Sequence, residues 1–439
     1  MLNILINAYA CSPDMGSEPG MAWNWCVNLA KYCELYIITE GEFREKIEQW
    51  LTPSYNVQDD MPVNEYGLSA TQISNLHFYY NPVSDDIRRM CWNQGDWRFY
   101  YYYKKWQWKT YEMAMQIMQE VHINIIHQLN MIGFREPGYL WKVSQMKQIP
   151  FVWGPIGGLK LFPMEYASGN SVITRVLLQL KNVLNVWQLK YSSRVDKALK
   201  QASLLISSIP DSYYAIKKYK GLESVVIPET GTFIQEKEIS TDLRFRKDCL
   251  TIVWVGKFDF RKRLDLALSI MSLAVEDNPN IVLKIFGTGN ERQVAKINKM
   301  VKSLEIDRWI QFMGNCSHNI ILDGMGKADL FLFTSVNEDT STVVLEAVGK
   351  QLPILCFDTC GMSAVVTDDI GIKIPLTNPN QSIKEFAEKI KYLNNNRDVL
   401  QQMSENCSRR MQELSWEHKA KQMADLYEKV VNGTDVYKR

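Results

Sequence analysis

The alternation of short apolar, β-branched runs with segments of helical length constrains this chain most. In the first half the runs are LNILINAY (2–9), ELYIIT (34–39), LHFYY (76–80), INIIHQ (123–128), PFVWG (150–154), SLLISS (203–208) and SVVIPE (224–229). In the second half they are LTIVWVG (250–256), IVLKIFG (281–287), WIQFMG (309–314), LFLFTS (330–335) and PILCFD (353–358). Strands apolar on nearly every residue are buried on both faces, and helix-sized stretches between them allow parallel crossovers. The expected fold class is α/β, with doubly wound parallel sheets. At 439 residues the chain is too long for one ordinary domain and comfortable for two.

The polar, aperiodic stretch FIQEKEISTDLRFRKDC (233–249) reads as a linker, with a fresh strand after it. This predicts a first domain over 1–235 and a second over 236–414, with a terminal helix in 415–439 joining the first. Ser415 is the expected N-cap of that helix, although His418 stands where a capping box wants Glu or Gln. Trp416, Met423, Leu426 and Val430 fit one helical face, so the helix should pack across the domain junction.

Composition narrows the function. Apolar residues make up 46% and charged residues 23%, as in soluble globular proteins. A formal net charge of +1 gives no electrostatic case for nucleic acid. Nine cysteines are scattered without a CxxC pair, which points to reduced thiols in a cytoplasm rather than disulfides or a zinc site. The opening MLNILINAYACSPDMGSEPG lacks a basic n-region and reads as a strand, not a signal peptide. No run approaches the roughly 18 apolar residues of a membrane-spanning helix.

Parallel sheets bind ligands at the carboxyl ends of their strands, so the loops there carry the candidate chemistry. In CSPDMGSEPG (11–20), Gly16 and Gly20 bracket Ser17, Glu18 and Pro19 ahead of a helical pattern, where backbone can approach a ligand and free amides can meet an anion. In VGKFDFRKR (255–263), Lys257, Arg261, Lys262 and Arg263 follow Gly256. Cations so close repel one another unless an anion joins them, and a pyrophosphate leaving group is the natural partner. IFGTGNER (285–292) places Gly287 and Gly289 after a strand. In NEDTSTVVLE (337–346), Thr340, Ser341 and Thr342 are credible N-caps. Glu338 precedes that helix, and Glu346 lies too deep to be a simple cap. A buried acid there needs partners, which sugar hydroxyls could provide.

These motifs together resemble the retaining GT-B glycosyltransferases of family 4. Gly256-Lys257-x4-Lys262 is similar to that family's Gly-Arg-x4-Lys, with Lys replacing Arg. Glu338-x7-Glu346 is similar to its E-x7-E motif. GKQLPILCFD (349–358), the GSEPG loop, FVWGPIGG (151–158) and the SWE helix extend the likeness along the chain. The resemblance implies two Rossmann-like domains facing a central cleft. It implies that Lys257 and Lys262 bind the donor diphosphate and that Glu338 binds the donor sugar, helped by the amides of Asp339, Thr340 and Ser341. Glu346 would bind the ribose. Gly256, Gly287 and Gly289 would serve the donor pocket, and Gly16 would approach the diphosphate from the opposite domain. On the acceptor side the candidates are Ser17, Glu18 and His127, the last being the nearest match to an acceptor histidine found in many members. Lys257 lacks the planar fork of Arg, and Gln351 replaces the usual Gly ahead of Pro353.

No Asp-x-Asp, HExxH or GxSxG occurs. No metal and no cofactor is expected, the lysines supplying the charge, and the donor is a nucleoside diphosphate sugar. The implied reaction is front-face displacement with retention, catalysed by Lys257, Lys262 and Glu338. Two segments mix cations with aromatic or apolar residues, 88–110 and 173–191. Either suits the interface of a membrane, and either suits packing over the acceptor side. The expected protein is a cytoplasmic glycosyltransferase at the inner membrane face, serving surface polysaccharide synthesis with a saccharide or lipid-linked acceptor. The alternatives are a sugar-nucleotide epimerase on the same fold and a non-catalytic scaffold subunit.

Overall fold

The structure, a computed structural model, describes residues 1–52, 63–92, 98–233, 244–246 and 248–437. The expected domain boundary at 235/236 lies outside the described residues, as does most of the linker. Two parallel sheets form the frame. The first has the order β3-β2-β1-β4-β5-β6-β7. Its strands are β1 (Leu2–Ala8), β2 (Cys33–Thr39), β3 (Leu76–Tyr80), β4 (Ile125–Asn130), β5 (Phe151–Ile156), β6 (Leu204–Ser207) and β7 (Val225–Val226). The second has the order β10-β9-β8-β11-β12-β13. Its strands are β8 (Leu250–Val255), β9 (Ile281–Phe286), β10 (Ile310–Gly314), β11 (Leu330–Phe333), β12 (Ile354–Phe357) and β13 (Gly371–Ile374).

Each of the twelve apolar runs overlaps a strand. The last strand, β13, was not anticipated: GIKI is only four residues long, begins with glycine and carries a lysine. The inner strands are buried on both faces, as their composition requires; β4, β5, β6, β11 and β12 are buried at every residue. In each sheet the chain reverses its winding direction beside one central strand. The switch falls between β1 and β4 in the first sheet and between β8 and β11 in the second. A crevice opens at such a point, outside the carboxyl ends of the two strands.

The chain passes between the sheets twice, and the two crossings pair. The Thr232 N–H donates to the Leu414 carbonyl at 2.9 Å, and the Trp416 N–H donates to the Thr232 carbonyl at 3.1 Å. The helix Trp416–Val431 then packs on the first sheet's core, with Trp416, Met423, Leu426 and Tyr427 buried among Met21, Trp25 and Val27. Ser415 caps it as expected, its side chain accepting from the His418 N–H. In return, Phe162 and Tyr166, which follow β5, are buried in the second sheet's core. Each domain is thus locked to the other by a segment lent across the junction.

Candidate functional site

The loops after β1, β4, β8 and β11 all border the two switch points. After β1, Gly16 takes the N-cap position of the helix Ser17–Leu29. Behind it a Cβ on Gly20 would stand 1.8 Å from the Met15 carbonyl oxygen, so only glycine permits the turn. Glu18 accepts the Ile132 N–H, from the loop after β4, at 2.9 Å. Burial, opposed by that hydrogen bond and aided by Asp339, pushes its carboxyl up to about 6.

On the opposite wall, Lys262 and Glu338 form an ion pair at 2.7 Å, bridging the loops after the adjacent strands β8 and β11. Both side chains are only 19% exposed. The Ser335 hydroxyl donates to the same Glu338 oxygen at 2.9 Å, fixing the carboxylate. Lys257 is exposed. The other two cations of that loop are engaged elsewhere: Arg261 pairs with Asp259, and Arg263 with Asp265 and the Tyr166 carbonyl. Of the four clustered charges, three are paired with an acid, Lys262 with Glu338 among them, and Lys257 is exposed. Gly256 and Gly287 pack backbone to backbone at the ends of β8 and β9. A Cβ on Gly287, at φ +137°, would meet the Gly256 oxygen at 1.8 Å. Gly289 is less tight, with side-chain atoms of Gln293 and Phe258 at 2.6 and 2.9 Å from where its Cβ would stand.

Ser341 occupies the N-cap of the helix Thr342–Gly349, without a side-chain cap bond. Glu346, within that helix, meets His318 Nε2 at 3.1 Å. It lines a cavity of about 470 Å³ between the domains. The walls are Gly16 and Ser17 from the first domain and His318, Thr342, Glu346 and Lys350 from the second. A smaller cavity of about 190 Å³ shares Met15, Gly16 and Ser17 with it and reaches Glu18, Glu40 and Arg88. The fold therefore brings Gly16 to Glu346 and Lys262 to Glu338. Lys257 and Lys262 are not in the wall of the larger cavity.

Several residues at the junction were not singled out from the sequence. Glu229 accepts the Thr340 N–H at 2.7 Å, so one amide expected to face the donor points to a first-domain acid instead. Asp339 accepts the Gly158 N–H at 3.2 Å. Asp211 accepts the Cys360 N–H at 2.9 Å and pairs with Lys160 at 2.8 Å. Burial pushes Glu229 and Asp339 up, and each loses further acidity to neighbouring carboxylates. Burial pushes Lys419, hydrogen-bonded to the Pro228 and Thr230 carbonyls, down. The only sequence signal for Asp211 was a polar residue just beyond a strand end.

His127 lies apart from the cleft. It is wholly buried, with Nε2 2.7 Å from the Gly154 carbonyl and Nδ1 2.6 Å from the Tyr427 hydroxyl. A carbonyl only accepts, so Nε2 carries the proton and Nδ1 takes the tyrosine's. Burial lowers its pKa to about 4, which keeps it neutral. Its side chain faces the terminal helix rather than an acceptor, so the acceptor-side placement expected of it is corrected to a core clamp.

The aromatic stretch 88–110 is likewise partly core. Residues 93–97, including Trp97, are outside the described residues. In the helix Arg98–Glu120, Phe99, Tyr103 and Trp106 are buried against Tyr9, Val83 and Met131, while Tyr100, Tyr101 and Trp108 are exposed.

Solved structures share this arrangement over nearly the whole chain. Sucrose-phosphate synthase from Thermosynechococcus elongatus superimposes with a TM-score of 0.59 at 15% identity, over 99% of this chain and 100% of that one. Anabaena HepE, solved with UDP, gives 0.59 at 13% identity over 98% and 100%. The fold is GT-B. Within the GT-B frame, residues 235–410 match the family model described as glycosyl transferases group 1. Among curated relatives, a D-inositol 3-phosphate glycosyltransferase of Corynebacterium urealyticum is 24% identical over 40% of this chain and 42% of its own. A phosphatidylinositol N-acetylglucosaminyltransferase GPI3 subunit of Saccharomyces cerevisiae is 20% identical over 34% and 33%. The chain spans less than half the length of these two relatives.

Proposed function

We propose that the protein is a retaining glycosyltransferase that moves a sugar from a nucleoside diphosphate sugar to a saccharide or lipid-linked saccharide. The observation that carries this reading is the Lys262–Glu338 ion pair, which joins the two loops at the switch point of the second sheet. It sets a cation for a phosphate oxygen beside a carboxylate for a sugar hydroxyl. The group 1 match over the same domain and the UDP-bound GT-B neighbour support it.

In this reading Lys262, with Lys257 beside it, neutralises the diphosphate as it leaves, and needs no metal or cofactor to do so. A leaving oxygen so held can take the acceptor hydroxyl's proton on the face that it vacates, which retains the anomeric configuration. Glu338 orients the sugar, and Glu346 holds the ribose across from Gly16, with Gly256, Gly287 and Gly289 shaping the donor pocket. Ser17 and Glu18 face the acceptor. Asp339 and Ser341 act through their backbone. The site of action is the inner face of a membrane, in surface polysaccharide synthesis.

A thermal-shift screen of nucleotide sugars identifies the donor, because a ligand stabilises the fold according to its affinity. With that donor, Lys262→Ala should lower turnover roughly 10²–10³-fold, the usual cost of one preorganised charge-stabilising group. A near-wild-type rate removes Lys262 from the leaving-group role.

A further inference from the structure

The helix Val172–Tyr191 is built inside out. Three of its polar residues, Asn182, Asn185 and Gln188, face the protein. The Asn182 side chain accepts the Phe162 N–H and donates to the Phe162 carbonyl, both at 2.9 Å. Asn185 and Gln188 accept from the Arg135 guanidinium. Leu178 and Leu189 pack inward, but most of its apolar residues face away. Val176, Leu177, Leu180, Val183, Leu184 and Trp187 are each more than half exposed, and their spacing makes one continuous stripe. A stripe at this spacing ordinarily packs on a core, and a surface patch of this kind marks a docking site.

Charge and size say what docks. The helix carries Arg175, Lys181 and Lys190 and no acid. Trp187 and Tyr191 flank Lys190 at its end, the residue types that settle at headgroup depth. Behind the stripe, Arg135 is hydrogen-bonded to neutral side chains, and the charges of Arg135 and Arg261 act on Lys181. Among the described residues no carboxylate lies within ion-pair distance of Arg135 or Lys181. Lys181 is held below its ordinary pKa, first by burial and then by those two arginines. Arg135 sits at the cleft. Arg135 Nη1 is 3.9 Å from where a Cβ on Gly158 would stand, and the Gly158 N–H is bonded to Asp339. A second copy of the chain fits poorly. One helical stripe about 30 Å long and about 10 Å wide offers ~300 Å², against the ~800 Å² per partner of a standard interface.

We propose that this helix docks on an anionic lipid bilayer, its apolar stripe entering the headgroup boundary while Arg135 and Lys181 hold a lipid phosphate at the mouth of the cleft. The proposal deepens the transferase reading by naming a lipid-linked acceptor, and it rests on that reading for the acceptor alone. The interaction of the cations with phosphate is electrostatic, whereas that of the stripe depends on buried apolar area, so the two can be separated.

The test is flotation with vesicles of phosphatidylcholine and of equal parts phosphatidylcholine and phosphatidylglycerol. The wild-type chain should float with the mixed vesicles and far less with phosphatidylcholine alone. Leu177→Glu with Leu184→Glu, both at exposed positions, should cut that binding roughly tenfold or more. Arg135→Gln with Lys181→Gln should cut binding to the mixed vesicles roughly fivefold to tenfold and leave the phosphatidylcholine signal unchanged. An unaltered thermal shift with the donor would show the leucine variant to be folded. Wild-type protein that floats with neither vesicle overturns the proposal. So does a leucine variant that floats like wild type, or a wild-type dimer that this variant dissolves without any vesicle binding. Intact flotation by a protein that no nucleotide sugar stabilises would instead overturn the transferase reading and leave the docking standing.

Discussion

The two walls of the cleft are made from the same kind of element, loops beyond the central strands of a parallel sheet, yet they hold charge differently. The second-domain wall pairs its charges: Lys262 and Glu338 lie 2.7 Å apart, half-buried, with Ser335 fixing the acid. On the first-domain wall Arg88 pairs with Glu40 at 3.0 Å and Lys160 with Asp211 at 2.8 Å, whereas Glu18 and Glu229 have no cation at ion-pair distance among the described residues. Glu18 is pushed up to about 6, and Glu229 is also raised, each supported mainly by backbone amides. A buried acid whose partners are neutral holds its proton more tightly, because the charged form loses solvent and gains little back. Paired charges suit a wall that meets a diphosphate, and carboxyls poised near neutrality suit one that meets hydroxyls.

Breaking the paired wall should have the largest effect, the Lys262→Ala loss given above. Next comes the clamp behind the first wall. His127→Phe would leave the Gly154 carbonyl and the Tyr427 hydroxyl buried without partners, at roughly 1–3 kcal/mol for each unsatisfied group. Urea denaturation should show a loss of roughly 2–4 kcal/mol, with turnover per folded molecule changed by less than about twofold. A large loss of turnover at unchanged stability would return His127 to the acceptor side. The smallest effect concerns pH. The folded-state value for Glu18, about 6, lies above the ordinary 4.5, so the folded state binds that proton more tightly. Its stabilising contribution is full below 4.5 and is lost as pH rises through about 6. The Tm of wild type relative to Glu18→Gln should therefore fall across that window. A difference independent of pH would mean that Glu18 is solvated.

What the sequence made legible follows from how local each signal is. The sheets could be read because their strands are buried on both faces, which leaves unbroken apolar runs; β13 escaped because four residues including a glycine and a lysine carry no such run. Lys257, Lys262, Glu338 and Glu346 could be singled out because they fall at fixed spacings in two short stretches, although the Lys262–Glu338 pairing itself was not legible. Asp211 and Glu229 could not. They meet Cys360 and Thr340 across 149 and 111 positions, a proximity that only the tertiary fold creates. His127 shows the reverse case. Its place in a strand was legible, but the face on which its ring lay depended on the terminal helix 300 positions away. The aromatic stretch divided likewise, with Trp106 in the core and Trp108 outside.

The central claim is that the lysine wall binds a diphosphate. Calorimetric titration of the wild-type chain and of Lys257→Ala with Lys262→Ala, using the nucleoside diphosphate and monophosphate of the same base, tests it most directly. The account predicts that wild type prefers the diphosphate by roughly tenfold or more and that the variant loses the preference while keeping its monophosphate affinity. Equal affinity of the wild type for the two nucleotides, or a preference that survives in the variant, would contradict it.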